Sequence, residues 1–272
     1  MKGAVTTLLT APFFGSGVKT TGFKATTLQV WSCGGLAEAF ISANELFEKK
    51  TGIAVAYTGA FAAALGKSLL GGAQTEVFAP RVLDLAKKLK AEQKMLYFKP
   101  LCFTQYVMVT PNGNPASVTS IKDLARPGIR VALAPQASPP GGEAVKVLLK
   151  KAGVEEGALK NAVIPGSCVQ TIMDDVISGK ADVSVVELRL TRIERFAGKV
   201  EIIAIPDEFF PPPPLTFTIG VMKFAKDREL ADHYVNYICS EEGQAFFEHA
   251  GFIPANSEKG RKLIEKLGVN DV

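Results

Sequence analysis

The chain has 272 residues, 47% of them hydrophobic and 21% charged. That balance supports one large domain or two lobes with a substantial core, and it excludes a disordered chain. The formal charge is +4 with lysines spread along amphipathic stretches; no dense basic run interleaves with aromatics, which argues against a nucleic-acid binder.

Residues 1–27 open with a lysine, an apolar run from Ala4 to Phe14, and then Gly, Ser and Thr. The run is too short to span a bilayer and reads as an export signal or a disordered start. Leu28 to Ser32 is expected as a first strand. Leu36, Ala39, Phe40, Ala43 and Phe47 then recur at helical spacing, and Thr51-Gly52 closes the helix. A strand over 53–57, a helix over 62–70, a strand over 76–79 and a helix over 82–90 follow. This β-α alternation is the rhythm of a mostly parallel sheet covered by helices. A second α/β unit is expected from about 107 to 205, with strands at 106–110, 130–133, 162–164 and 181–186. The run FFPPPP, Phe209 to Pro214, reads as a stiff extended crossing. TFTIGVM returns as a strand, and helices over 229–238, 241–250 and the charged end complete the chain. The fold class is therefore α/β in two lobes, with a cleft between them as the ligand site.

The turn Ser32-Cys33-Gly34-Gly35 stands where the first strand gives way to a helix, and Ser167-Cys168 holds the matching place in the second unit. The two cysteines are either small buried hydrophobes, ligand contacts that meet across the cleft, or a redox pair. With Glu187 they would also make a soft-metal site. Ser32, Thr58, Ser138 and Ser167 are loop-end hydroxyls that either contact a ligand or cap helices. Arg81 and Arg189 can balance an anion, although exposed ion pairing is the commoner fate. His233 and His249 have no partner at metal-binding spacing. No CxxC, nucleophile elbow, P-loop or GxGxxG appears in the chain.

Five segments in order carry a resemblance. They are GGLAEAFISANELFEKKTGIAV, LLGGAQTEVFAP, VMVTPNGNPASVTSIKDLARPGIRVAL, ISGKADVSVVELR and YICSEEGQAFFEHAGF. Together they resemble the periplasmic molybdate- and tungstate-binding proteins of ABC transporters, in the type II solute-binding superfamily. The resemblance implies a two-lobed Venus-flytrap fold of the periplasmic-binding-protein type. Lobe one would be 28–105 with 210–268, and lobe two 106–209. It also implies an oxyanion clamped between the lobes. The family's first hydroxyl ligand falls at Gly35, its second at Phe61 and Ala62, and its tyrosine at Leu188. The tungstate branch's glutamate is matched by Glu187, and its aspartate by Ser138. Backbone amides at Gly34, Gly35 and Ala62 can still face an oxyanion without side-chain hydroxyls.

The function these readings imply is an extracytoplasmic, periplasmic solute-binding component of an ABC importer, most simply for molybdate or tungstate. The expected partners are the small inorganic anion and a membrane permease. The chain is expected to be monomeric, to carry no cofactor and not to be an enzyme. The alternatives are a binder of another small anion, a soft-metal binder using Cys33 and Cys168, a transferase-like enzyme with a cysteine nucleophile, and a regulatory ligand-binding module.

Overall fold

A computed structural model describes residues 22–134, 141–165, 169–209 and 216–269. The export-signal reading, the proline run at 211–214, Ser138, Ser167 and Cys168 lie outside the described residues.

The first strand, β1 (Thr27–Cys33), runs into a 3₁₀ turn at Gly34–Leu36 and then α1 (Ala37–Thr51). The helix buries the expected stripe of Ala39, Phe40, Ala43 and Phe47. It stops at Gly52, whose φ of 72° suits a glycine and whose N–H closes on the Glu48 carbonyl. β2 (Ala54–Ala60), α2 (Ala62–Leu70), β3 (Val77–Ala79), α3 (Leu83–Ala91) and β4 (Met95–Thr104) follow. Gln105 alone separates β4 from β5 (Tyr106–Pro111), the first strand of the second sheet. That sheet continues with β6 (Val131–Leu133), α4 (Gly141–Lys151), α5 (Glu155–Lys160), β7 (Ala162–Pro165), α6 (Val169–Ile177), β8 (Val183–Glu187) and β9 (Val200–Ala204). The chain returns through β10 (Thr216–Met222), α7 (Arg228–Cys239), α8 (Glu241–His249), β11 (Phe252–Pro254) and α9 (Glu258–Leu267).

Two sheets result. The first has six strands in the order β11-β4-β10-β3-β1-β2, and the second has five in the order β7-β6-β8-β5-β9. β1 is parallel to β2 and β3, and β6 is parallel to β7 and β8. β10 and β5 run against their neighbours. Both faces of the second sheet are covered. Val107 and Val109 pack with Ile172 and Met173 of α6, while Met108 packs with Leu148 of α4 on the opposite face. In the first sheet, α1, α7 and α8 bury Phe40, Phe47, Tyr234 and Phe247 together. Phe47 and Tyr234 meet edge-on at 5.1 Å, and the Tyr234 hydroxyl donates to Asn44 Oδ1 at 2.6 Å.

Four elements were not expected from the sequence: β4, β9, β11 and α5. β4 reads MLYFKPLCFT, where Lys99-Pro100 interrupts the alternation. The ladder tolerates this proline because a register shift between Phe217 and Thr218 falls at its partner on β10. β11 is only three residues and is too short to show a period.

The topology turns one end of each sheet toward the other. The carboxyl ends of β1, β2 and β3 lie beside the start of β10. The carboxyl end of β8 pairs with the start of β5, Glu187 opposite Tyr106. The loops that leave β1, β3 and β8 therefore converge on the crossing between sheets, where open α/β folds place ligands.

Candidate functional site

The β1 end places Ser32 fully buried, with Cys33 next to it at 7% exposure. Ser32 Oγ donates to the Cys33 carbonyl at 3.0 Å and lies 2.6 Å from the Tyr57 hydroxyl. With the serine hydrogen committed to that carbonyl, the tyrosine donates the second bond. Tyr57 lies at the matching point of β2, register partner of Val30. Its ring folds over Gly59, where an added Cβ would stand 3.1 Å from the hydroxyl oxygen. Burial, more than the opposing Ser32 hydrogen bond, pushes the Tyr57 hydroxyl up to about 12, so it stays a donor at neutral pH.

Neither Ser32 nor Thr58 caps a helix. α1 and α2 start without any side-chain cap, and Thr58 is exposed within β2. The first intrahelical bond of α2 comes from Leu65 N to the Phe61 carbonyl, so the amides of Ala62 to Ala64 precede the helical ladder. Gly34 is exposed and Gly35 half-buried at the start of the helical turn after β1.

The strongest electrostatic feature is a buried cluster around Glu187. Arg81 Nη2 donates to Glu187 Oε1 at 2.7 Å, and Arg189 Nε donates to Glu187 Oε2 at 2.5 Å. The three side chains are only 11%, 8% and 17% exposed for Arg81, Glu187 and Arg189. The expected exposed pairing of these arginines is therefore replaced by a shared buried carboxylate. Burial alone would raise the Glu187 pKa, but the two guanidinium groups outweigh it and hold the carboxyl near 2. Burial likewise opposes the Arg81 charge, and the Glu187 carboxylate restores and raises it. Arg81 also lies over the Phe217 ring, 5.5 Å from its centroid.

Arg81 follows β3 and Glu187 ends β8, so this pair joins the two sheets. Arg189 approaches the first sheet as well. A Cβ at Gly35 would stand 3.5 Å from Arg189 Nε, and one at Gly251 would stand 2.9 Å from the Arg189 backbone nitrogen. Two buried polar atoms near the cluster lack a well-formed hydrogen bond, Arg81 Nε and the Tyr106 hydroxyl, although the Arg81 guanidinium approaches the tyrosine oxygen. Tyr106 is 2% exposed and within electrostatic reach of Glu187, Arg81 and Arg189.

The structure thus brings Ser32, Cys33, Gly35 and Glu187 to one region, with Thr58 and Ala62 on the adjoining end of β2 and α2. Leu188, which stands at the position of the family's tyrosine, is half-buried and donates its N–H to the Gln105 carbonyl at 2.7 Å. Tyr57 and Tyr106 were missed. Tyr57 follows Ile53 in a run expected as plain strand, and only its pairing with β1 brings it beside Ser32. Cys33, Cys102 and Cys239 are free thiols, and burial raises those of Cys102 and Cys239. Among the described residues, no three His, Cys, Asp or Glu side chains gather as a metal-holding group. No helix among them is long and apolar enough to cross a membrane.

The bacterial extracellular solute-binding protein model matches residues 28–253, from the first strand to the last. The chain belongs to that family. It is 27% identical over 232 residues to a molybdate-binding protein, ModA, of Mycobacterium tuberculosis, covering 84% of this chain and 85% of the relative. Among solved structures, it resembles the substrate-binding domain of a putative molybdenum ABC transporter from Clostridium difficile. That match has a TM-score of 0.74 at 22% identity, covering 84% of this chain and 98% of the other. It also resembles the periplasmic molybdate-binding protein of Azotobacter vinelandii, with a TM-score of 0.66 at 19% identity over 83% and 98% of the two chains. These two likenesses establish the fold: two α/β domains of the periplasmic-binding-protein type.

Proposed function

We propose that the protein captures a small oxyanion between its lobes outside the cytoplasm and delivers it to the membrane permease of an ABC importer. Molybdate or tungstate is the specific solute we assign. The observation that carries the reading is the buried, net-positive cluster of Arg81, Glu187 and Arg189 at the converging strand ends, flanked by the Ser32–Tyr57 hydroxyl pair. A tetrahedral dianion needs several aimed donors and little room, and guanidinium groups and the leading amides of α2 are donors of that kind. The 27% identity to a molybdate-binding relative supports the choice of solute.

We take residues 28–105 with 210–268 as one lobe and 106–209 as the other, a division that the sheet membership supports. Binding needs only a higher affinity of the closed state for its solute, with no chemical step. Native mass spectrometry of the purified chain, followed by calorimetry with molybdate, tungstate and sulfate, tests the reading. Molybdate or tungstate is expected to bind with a dissociation constant below about 1 mM. Failure of every oxyanion to bind overturns it.

A further inference from the structure

We propose that Arg81 and Arg189 form the seat of the anion, and that Glu187 is a resident counter-ion which the arriving solute displaces from Arg81. The inference rests on the cleft being the solute site and specifies how that site recognises its cargo.

The donor arithmetic leads to it. A guanidinium presents five N–H donors, and its Nε and Nη2 share one edge that matches two oxygens of an oxyanion. Glu187 Oε1 takes Nη2 of Arg81 at 2.7 Å, while Nε on the same edge is buried and has no acceptor. The edge is half used. The Tyr106 hydroxyl, 2% exposed, is a second buried group in the same cluster without a well-formed hydrogen bond, and the Arg81 guanidinium approaches it. Unmatched buried donors are unfavourable, and a compact oxyanion in this position would engage both nitrogens of the edge.

Two guanidinium groups face one carboxylate, which leaves a net single positive charge in a place with little water. A doubly charged tetrahedral oxyanion in place of the monoanionic carboxylate gives Arg81 the stronger pairing, while Glu187 keeps its bond to Arg189. A second monocarboxylate would gain nothing over Glu187. The seat therefore selects dianions over simple carboxylates. Position also agrees: Arg189 is two residues from Glu187 and moves with it, whereas Arg81 belongs to the other sheet. The Arg81–Glu187 contact holds the lobes together, and the solute takes over that role when it binds.

This assignment differs in sign from a carboxylate that coordinates the anion's central atom. Both oxygens of Glu187 already accept from arginine. If Glu187 competes with the solute, removing its charge strengthens binding. If it ligates the solute, removing its charge weakens binding.

Calorimetry on the full chain with molybdate, tungstate, sulfate and acetate separates these outcomes in the wild type, Glu187→Gln, Arg81→Gln and Arg189→Gln. The expected result is dianion binding about tenfold tighter in Glu187→Gln, at least about tenfold weaker in each arginine variant, and no acetate binding to the wild type. Arg189→Gln retains the Arg81–Glu187 pair, so it tests the seat even where Glu187→Gln does not fold. Unchanged or weaker binding in a folded Glu187→Gln overturns the counter-ion role while the solute-binding reading stands. Unchanged binding in a folded Arg81→Gln or Arg189→Gln overturns the seat with the same consequence. A wild type that binds none of the dianions overturns the solute-binding reading, and this inference with it.

Discussion

Replacing Glu187 with glutamine is expected to change the acid stability of the protein in a defined way. The folded carboxyl sits near 2 against an ordinary value of 4.5, because Arg81 and Arg189 outweigh the burial that would raise it. A depressed carboxyl adds stability in full above its unfolded value, and that stability is lost as pH falls through the folded one. By linkage the group contributes about 3 kcal/mol at neutral pH, of which about 2 kcal/mol is gone at about pH 3. The side chain is only 8% exposed, so solvent screening reduces this little. The size agrees with the ~3–5 kcal/mol that follows when one member of a buried ion pair is removed. The assay is urea unfolding of the wild type and Glu187→Gln at about pH 7 and about pH 3, at one ionic strength. Other carboxylates titrate in both proteins and cancel in the difference. The wild type should be more stable by about 3 kcal/mol at neutral pH, and the gap should shrink to about 1 kcal/mol in acid. An equal gap at both pH values would refute the argument, because Glu187 would then not carry a depressed pKa.

Tyr57→Phe removes the hydroxyl bonded to Ser32 at 2.6 Å and keeps the ring. Because that hydroxyl donates to the buried Ser32, the change should cost about 1 kcal/mol in urea unfolding; wild-type stability would show that the bond contributes nothing net. Gly251 holds a φ of +89°, and an added Cβ would stand 2.9 Å from the Arg189 backbone nitrogen. Gly251→Ala should therefore cost at least about 2 kcal/mol in urea unfolding and weaken dianion binding through the displaced Arg189; wild-type stability would show that the turn relaxes freely.

The period of the apolar residues was enough to order the β-α units and to place α1, because burial of a helix stripe or strand face repeats at a fixed spacing. The small-residue turn after β1 was legible for the same local reason, and Glu187 was singled out by a family motif within a few residues. β4 was hidden because Lys99-Pro100 breaks its alternation, and Thr218 of β10, which pairs with Pro100 beside the register shift, lies more than a hundred residues away. The partners within the candidate site were hidden more deeply. Arg81 and Glu187 are 106 positions apart, and Ser32 and Tyr57 are 25. No periodicity encodes which charge meets which. Arg81 read as a cation that either balances an anion or pairs at the surface, until the two sheets brought its guanidinium over Phe217 and against Glu187. Tyr57 looked like one more strand residue until parallel pairing with β1 set its hydroxyl beside Ser32. Local patterning specifies the elements because each element buries its own face. The ion pair and the hydroxyl pair depend on desolvation and distance between elements, and those quantities exist only once the chain has packed.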